Sequence, residues 1–150
     1  MQIYSINTII PRTNPAGYTK KLETIGDHIR AWRIKNLLFQ SDVAKRLGVC
    51  EDTIVGWEMR NIKPSVRQVP GITQLIGYLP IEVDSSTFGG RIAMYRHKHG
   101  ITPKELGLSV SADASTVRAW EAGKNAPHKN RIRHIEESLS ISQSELNTVK

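Results

Sequence analysis

The sequence predicts an all-α fold built from two small helical bundles in tandem, and three observations carry that expectation. Apolar residues recur every three or four positions through most of residues 24–140, the period of a helix with one buried face. No stretch makes a convincing strand; IYSINTII near the start could pair as one, but no partner run is in view. The chain also overlays on itself at a fixed offset of 63 residues, so the second half repeats the plan of the first.

The offset aligns Thr24–Pro64 with Thr87–Pro127 without a gap. Thr24/Thr87, Gly26/Gly89, Ile29/Ile92, Arg33/Arg96, Lys35/Lys98, Thr53/Thr116, Trp57/Trp120, Glu58/Glu121 and Pro64/Pro127 are identical. Nine identities in 41 positions are marginal alone, but two of the chain's three tryptophans fall among them, each followed by Glu. Apolar character is kept as well, at Ile25/Phe88, Leu38/Ile101, Val43/Leu106, Leu47/Val110, Val49/Ala112 and Ile54/Val117. Duplication explains this pattern; coincidence does not.

Within the first repeat, Ile25, Ile29 and Trp32 place an apolar stripe on a helix over about Ile25–Asn36. A second helix, Gln40–Leu47, turns Val43, Ala44 and Leu47 inward. Gly48 then supplies the backbone freedom of a tight turn. A third helix over about Glu51–Met59 buries Ile54 and Trp57, and Pro64 marks the loop beyond. A fourth carries Val69, Ile72, Leu75 and Ile76 and closes at Gly77. The second repeat predicts helices over Phe88–His99, Pro103–Val110 and Ala114–Ala122, and a last one carrying Ile132, Ile135 and Leu139. Residues 1–22 read as an arm, 23–80 as the first domain, 87–141 as the second and 142–150 as a tail. The segment LPIEVDSS, Leu79–Ser86, has the Pro, Asp and Ser of a linker, with 81–86 as its core.

Composition narrows the function classes. The chain has 150 residues, with 39% hydrophobic and 23% charged, a globular balance with room for two small domains. No run approaches the ~18 apolar residues of a membrane span, and the N-terminus lacks the basic start and cleavage site of a signal peptide. A lone cysteine, Cys50, excludes an internal disulfide framework and fits a cytoplasmic setting. The net charge of +7 permits a polyanionic partner without requiring one. His97 and His99 stand at i and i+2 on a helix and point apart, so they do not make a metal site. No phosphate-cradling Gly loop, zinc spacing or nucleophile motif is present, and neither an active site nor a cofactor is expected.

Helix, short helix, Gly-containing turn and helix is the helix-turn-helix order. At its fixed points stand Gly26, Ile29, Arg33, Gln40, Ala44, Gly48, Ile54, the pair Trp57–Glu58, and Pro64. This ordered set closely resembles the Cro/phage-repressor (XRE-type) helix-turn-helix family, over about residues 24–78 and more loosely over 87–140. The resemblance implies lambda repressor-like domains of five short helices that bind double-stranded DNA as transcriptional regulators, without enzymatic activity. It also implies that Arg33 pairs with Glu58, and Arg96 with Glu121, to tie the first helix of each repeat to the third. An antitoxin-like or mobile-element accessory protein would use the same fold. A different class, a protein-interaction module in which the first repeat docks a protein partner, remains open beside it.

Carried over residue by residue, the resemblance places the base-reading positions of the first repeat at Glu51, Asp52, Val55 and Gly56, with Gln40 bonding phosphate. Arg60 and Lys63, just beyond the third helix, are counted with the DNA-contacting residues. In the second repeat the reading positions become Ala114, Ser115, Arg118 and Ala119, flanked by Lys104 and Lys124. Arg118 suits a bidentate contact to guanine. The acids at Glu51 and Asp52 are unexpected toward a polyanion, and two compatible readings stay open. They offset the poor N-cap Cys50 through the helix dipole, or one of them accepts from cytosine N4.

The second repeat departs from the first in its frame. Gly107 replaces Ala44 and is expected to cost roughly 0.5–1 kcal/mol of helix stability. Ser111 replaces the turn glycine, and Pro103 replaces Gln40. These changes predict that the second repeat is the less stable of the two. Two readers on one chain, as a monomer or within a homodimer, would raise each other's effective concentration. The eight residues Leu79–Ser86 span at most ~26–29 Å.

Overall fold

A computed structural model of the chain describes residues 20–139, and among them every regular element is helical. The run IYSINTII, most of the 1–22 arm that contains it, and the 142–150 tail lie outside the described residues. The chain divides between Ile81 and Glu82 into two compact units, each of which is taken by itself.

The first unit holds α1 (Ile25–Lys35), α2 (Gln40–Leu47), α3 (Glu51–Met59) and α4 (Val69–Ile76), with a 3-10 turn at Val66–Gln68. The second holds α5 (Phe88–His99), α6 (Pro103–Val110), α7 (Ala114–Glu121) and α8 (Lys129–Ser138). Adding 63 to the bounds of α2 returns those of α6, so the repeat seen in sequence is a repeat of backbone. Among the described residues each unit has four α-helices, not five as the resemblance implies.

The first core gathers Ile29, Val43, Ala44, Ile54, Trp57, Ile72 and Ile76 from all four helices. The second gathers Phe88, Ile92, Leu106, Val110, Val117, Trp120, Ile135 and Leu139. In each, the shared isoleucine of the first helix and the shared tryptophan of the third are buried, and burying such side chains stabilises by ~1.5–3 kcal/mol apiece. In α1, Thr24 accepts from the Asp27 amide while Asp27 accepts from the Thr24 amide, a reciprocal cap. Hydrogen bonds from Lys20 and Thr24 hold the Asp27 carboxyl below its usual range against the opposing effect of burial. Buried His28 places Nδ1 2.9 Å from the Tyr78 hydroxyl, joining α1 to the end of α4. Burial lowers the His28 pKa and raises that of Tyr78 to about 12.

The shared glycines explain themselves in three dimensions. A Cβ on Gly26 would lie 1.8 Å from the Trp57 carbonyl oxygen, and one on Gly89 would lie 1.9 Å from that of Trp120. No side chain fits there. Gly48 has φ +66° and Ser111 has φ +54°, so the α2–α3 and α6–α7 turns share one left-handed conformation that glycine adopts freely and serine does not.

Two expectations change. Gly107 is not a weakened Ala44: a Cβ there would stand 2.4 Å from the Ala112 carbonyl oxygen, so the close turn requires glycine. The linker is also shorter than its composition suggests. The Ser86 amide and hydroxyl both donate to the Asp84 carboxylate, and the Thr87 hydroxyl donates to the Asp84 carbonyl. Arg91 donates to the Ser85 and Ser86 carbonyls while its Nε pairs with Glu136 at 2.6 Å, so residues 84–87 are built onto α5 and α8.

Candidate nucleic-acid interface

Each third helix is fixed from behind by one arginine. Arg33 meets Glu58 with both prongs, Nε to Oε1 at 2.8 Å and Nη2 to Oε2 at 2.7 Å, and donates Nη1 to the Leu38 carbonyl. Arg96 does the same to Glu121 at 2.7 and 3.0 Å and to the Ile101 carbonyl. The expected pairs are therefore both formed. One guanidinium thereby joins the first helix, the loop after it and the third helix. The Glu58 side chain is fully buried, and its hydrogen bonds hold the Arg33 pKa above its ordinary value against burial.

Gln40 takes part in this clamp. Its Nε2 donates to Glu58 at 3.0 Å, so the amide expected to face phosphate supplies a third donor to the buried carboxylate. Pro103, its counterpart, has no side-chain donor, and the Glu121 side chain stays 15% exposed.

In front of the clamp the two third helices present different faces. Cys50 caps α3 without a side-chain bond to the helix amides; its Sγ lies 3.0 Å from the Thr53 hydroxyl. Glu51 and Asp52 are exposed in the first turn and Val55 is half-buried. Gly56 is buried rather than presented, because the Arg60 guanidinium and the Ile62 side chain lie over it. Arg60 reaches back along α3 and places Nη2 2.8 Å from the Asp52 carboxylate and 2.9 Å from the Asp52 carbonyl. Lys63 is exposed in the loop beyond.

In the second unit Asp113 caps α7 by accepting from the Thr116 amide at 2.7 Å, and the Ser115 hydroxyl donates to the same carboxylate oxygen at 2.6 Å. These bonds pull the Asp113 carboxyl below its usual range. Ser115 is thus turned toward the cap. Arg118, Lys104 and Lys124 are exposed, and Ala114 and Ala119 are half-buried. Lys104, Leu108, Asp113, Ala114 and Arg131 line an open groove along the α6–α7 turn.

Arg131 is absent from the expected set. Its guanidinium donates to the Ser111 carbonyl at 3.0 Å and lies 5.8 Å from the centre of the Trp120 ring, bringing a cation from α8 to the groove. The repeat register could not reveal it, because Gln68 stands at the matching position of the first unit.

Among the described residues no three His, Cys, Asp or Glu side chains group to hold a metal ion, and no helix is long and apolar enough to cross a membrane. Comparison of the chain with protein-family models, with curated proteins and with solved structures gives no significant match to any.

Proposed function

We propose that the chain is a sequence-specific double-stranded DNA-binding regulator without enzymatic activity, reading DNA through two tandem helix-turn-helix units. One observation supports this above the others: the same two-pronged Arg–Glu clamp recurs at the same offset, and in both units the first residues of the third helix, before the buried Ile54 or Val117, stay exposed or half-buried. Such a clamp orients a helix more than it stabilises a fold, since buried ion pairs recover little beyond their desolvation cost. Orientation is what a helix docking into a major groove requires. Arg118, Lys104 and Lys124 are exposed and Arg131 lines the α6–α7 groove, so the second unit supplies cations of the kind that phosphate and guanine attract.

A second reading, a protein-docking role for the first unit, is favoured by the exposure of Leu37 (91%) and Phe39 (76%) in the loop between α1 and α2. Titration of the full chain against mixed-sequence and selected duplexes over a range of salt separates the two. DNA binding predicts affinity that falls steeply as salt rises. Absence of duplex binding at ~50 mM salt would remove the DNA reading and leave the docking one.

A further inference from the structure

Asp52, one of two acids at the start of α3, would face a polyanion, and Arg60 supplies its explanation. Asp52, Gly56 and Arg60 are spaced four apart and so share one face of α3. Arg60 stands at the C-terminal cap, yet its guanidinium lies back along that face with Nη2 bonded to both the carboxylate and the carbonyl of Asp52. Gly56 is the floor of the seat: a Cβ there would come within 3.3 Å of Nη2, 3.8 Å of Nε and 3.1 Å of the Ile62 Cδ1. The side chains of Arg60 and Asp52 are 48% and 77% exposed, so the pair is solvated and contributes little to stability. What it does is bias a long, flexible side chain toward one place.

We infer that Arg60, seated on Gly56 and held by Asp52, is the guanine-reading residue of the first unit. This rests on the DNA-binding reading above. A guanidinium has five donors in a rigid fork, so one engaged by an aspartate keeps others to offer guanine O6 and N7. Asp52 is then a positioning residue that pre-orients the arginine, and its negative charge is offset before DNA arrives. The second unit supports the assignment by contrast. Gly123 stands where Arg60 stands and Ala119 where Gly56 stands, while Arg118 replaces Val55. Each unit thus brings one arginine to the exposed face of its third helix, by a different route.

The test is selection of sites from random duplex DNA by the full chain, followed by affinity measurements, for the wild type and for Arg60→Ala, Arg60→Lys and Asp52→Asn. Wild-type binding comes first; its absence overturns the DNA-binding reading and this inference together. Given binding, Arg60→Ala is expected to lose a guanine preference confined to one half of the site, with affinity for that site down about tenfold or more. Arg60→Lys should not restore the preference, since an ammonium cannot make the two-pronged contact. Asp52→Asn should weaken the same preference while leaving nonspecific affinity equal or higher. An unchanged guanine preference in Arg60→Ala overturns the inference alone. So does a uniform loss over all sequences that Arg60→Lys repairs, which marks a phosphate contact. Melting curves for each variant separate these effects from unfolding.

Discussion

The two units meet the same two turns with opposite residues. After the first helix, Leu37 holds φ +55° where its counterpart Gly100 holds φ +66°; after the second, Gly48 holds +66° where Ser111 holds +54°. Each unit spends glycine on one left-handed position and forces a side chain into the other. The backbone course is therefore dictated by the surrounding frame and not by the residue that occupies it. In both units the clamp arginine bonds the carbonyl just past the first of these turns, and in the second unit Arg131 bonds the carbonyl of Ser111 itself. Neighbours that over-determine a conformation make its strain tolerable.

The caps differ in the other direction. The first unit begins α2 and α3 with Phe39 and Cys50, neither of which caps through its side chain. The second begins α6 and α7 with Thr102 and Asp113, both of which do. A Ser, Thr or Asp cap stabilises by about 1 kcal/mol. The expectation that the second repeat is weaker, drawn from Gly107, Ser111 and Pro103, thus omitted contributions of similar size and opposite sign.

The largest test of this comparison removes the buried acid. Glu58→Ala strands a charged Arg33 and should cost about 3–5 kcal/mol. Glu121→Ala removes a carboxylate that is 15% exposed and has no counterpart to Gln40, though Arg96 is as buried as Arg33, and should cost less, roughly 2–3 kcal/mol. Denaturant unfolding with hydrogen exchange, to localise each loss, checks the order; equal losses would mean that the third donor is irrelevant. Next in size is Gly107→Ala, expected to destabilise by about 1–3 kcal/mol through the Ala112 carbonyl even though alanine is the better helix former. A gain in denaturation midpoint would show that this turn relaxes freely. Smallest are Leu37→Gly and Ser111→Gly. Each relieves roughly 1–2 kcal/mol of left-handed strain against about 0.5–1 kcal/mol lost to a freer unfolded chain, for a net gain of about 0.5–1 kcal/mol. Thermal midpoints that fall in either variant would point to side-chain contacts that outweigh the strain.

The helices were legible because the repeat supplies two independent readings of one pattern. The bounds of α2, α3, α5 and α6 agree with the expected spans, while α1 and α7 each end one residue early. The two Arg–Glu pairs were legible from the fixed points. What escaped were contacts that periodicity does not encode. Helix propensity counts what Gly107 loses and cannot see the carbonyl that requires it. Gln40 reads as a surface residue until the depth of Glu58 is known. Arg60 reads as a loop cation, since only the missing Cβ of Gly56 and the carboxylate of Asp52 let it lie back along the helix. Asp84 has the composition of a linker and the hydrogen bonds of a turn.

The seat of Gly26 against the Trp57 carbonyl, repeated at Gly89 and Trp120, constrains how such a chain can diverge. Two side chains in contact can change together, one shrinking as the other grows. A glycine against a main-chain oxygen has no such partner, because no substitution at the tryptophan position removes its carbonyl. Drift at this point has no compensating second step. The copies differ in caps, turn residues and the exposed faces of their third helices, and this glycine is among the nine positions where they still agree.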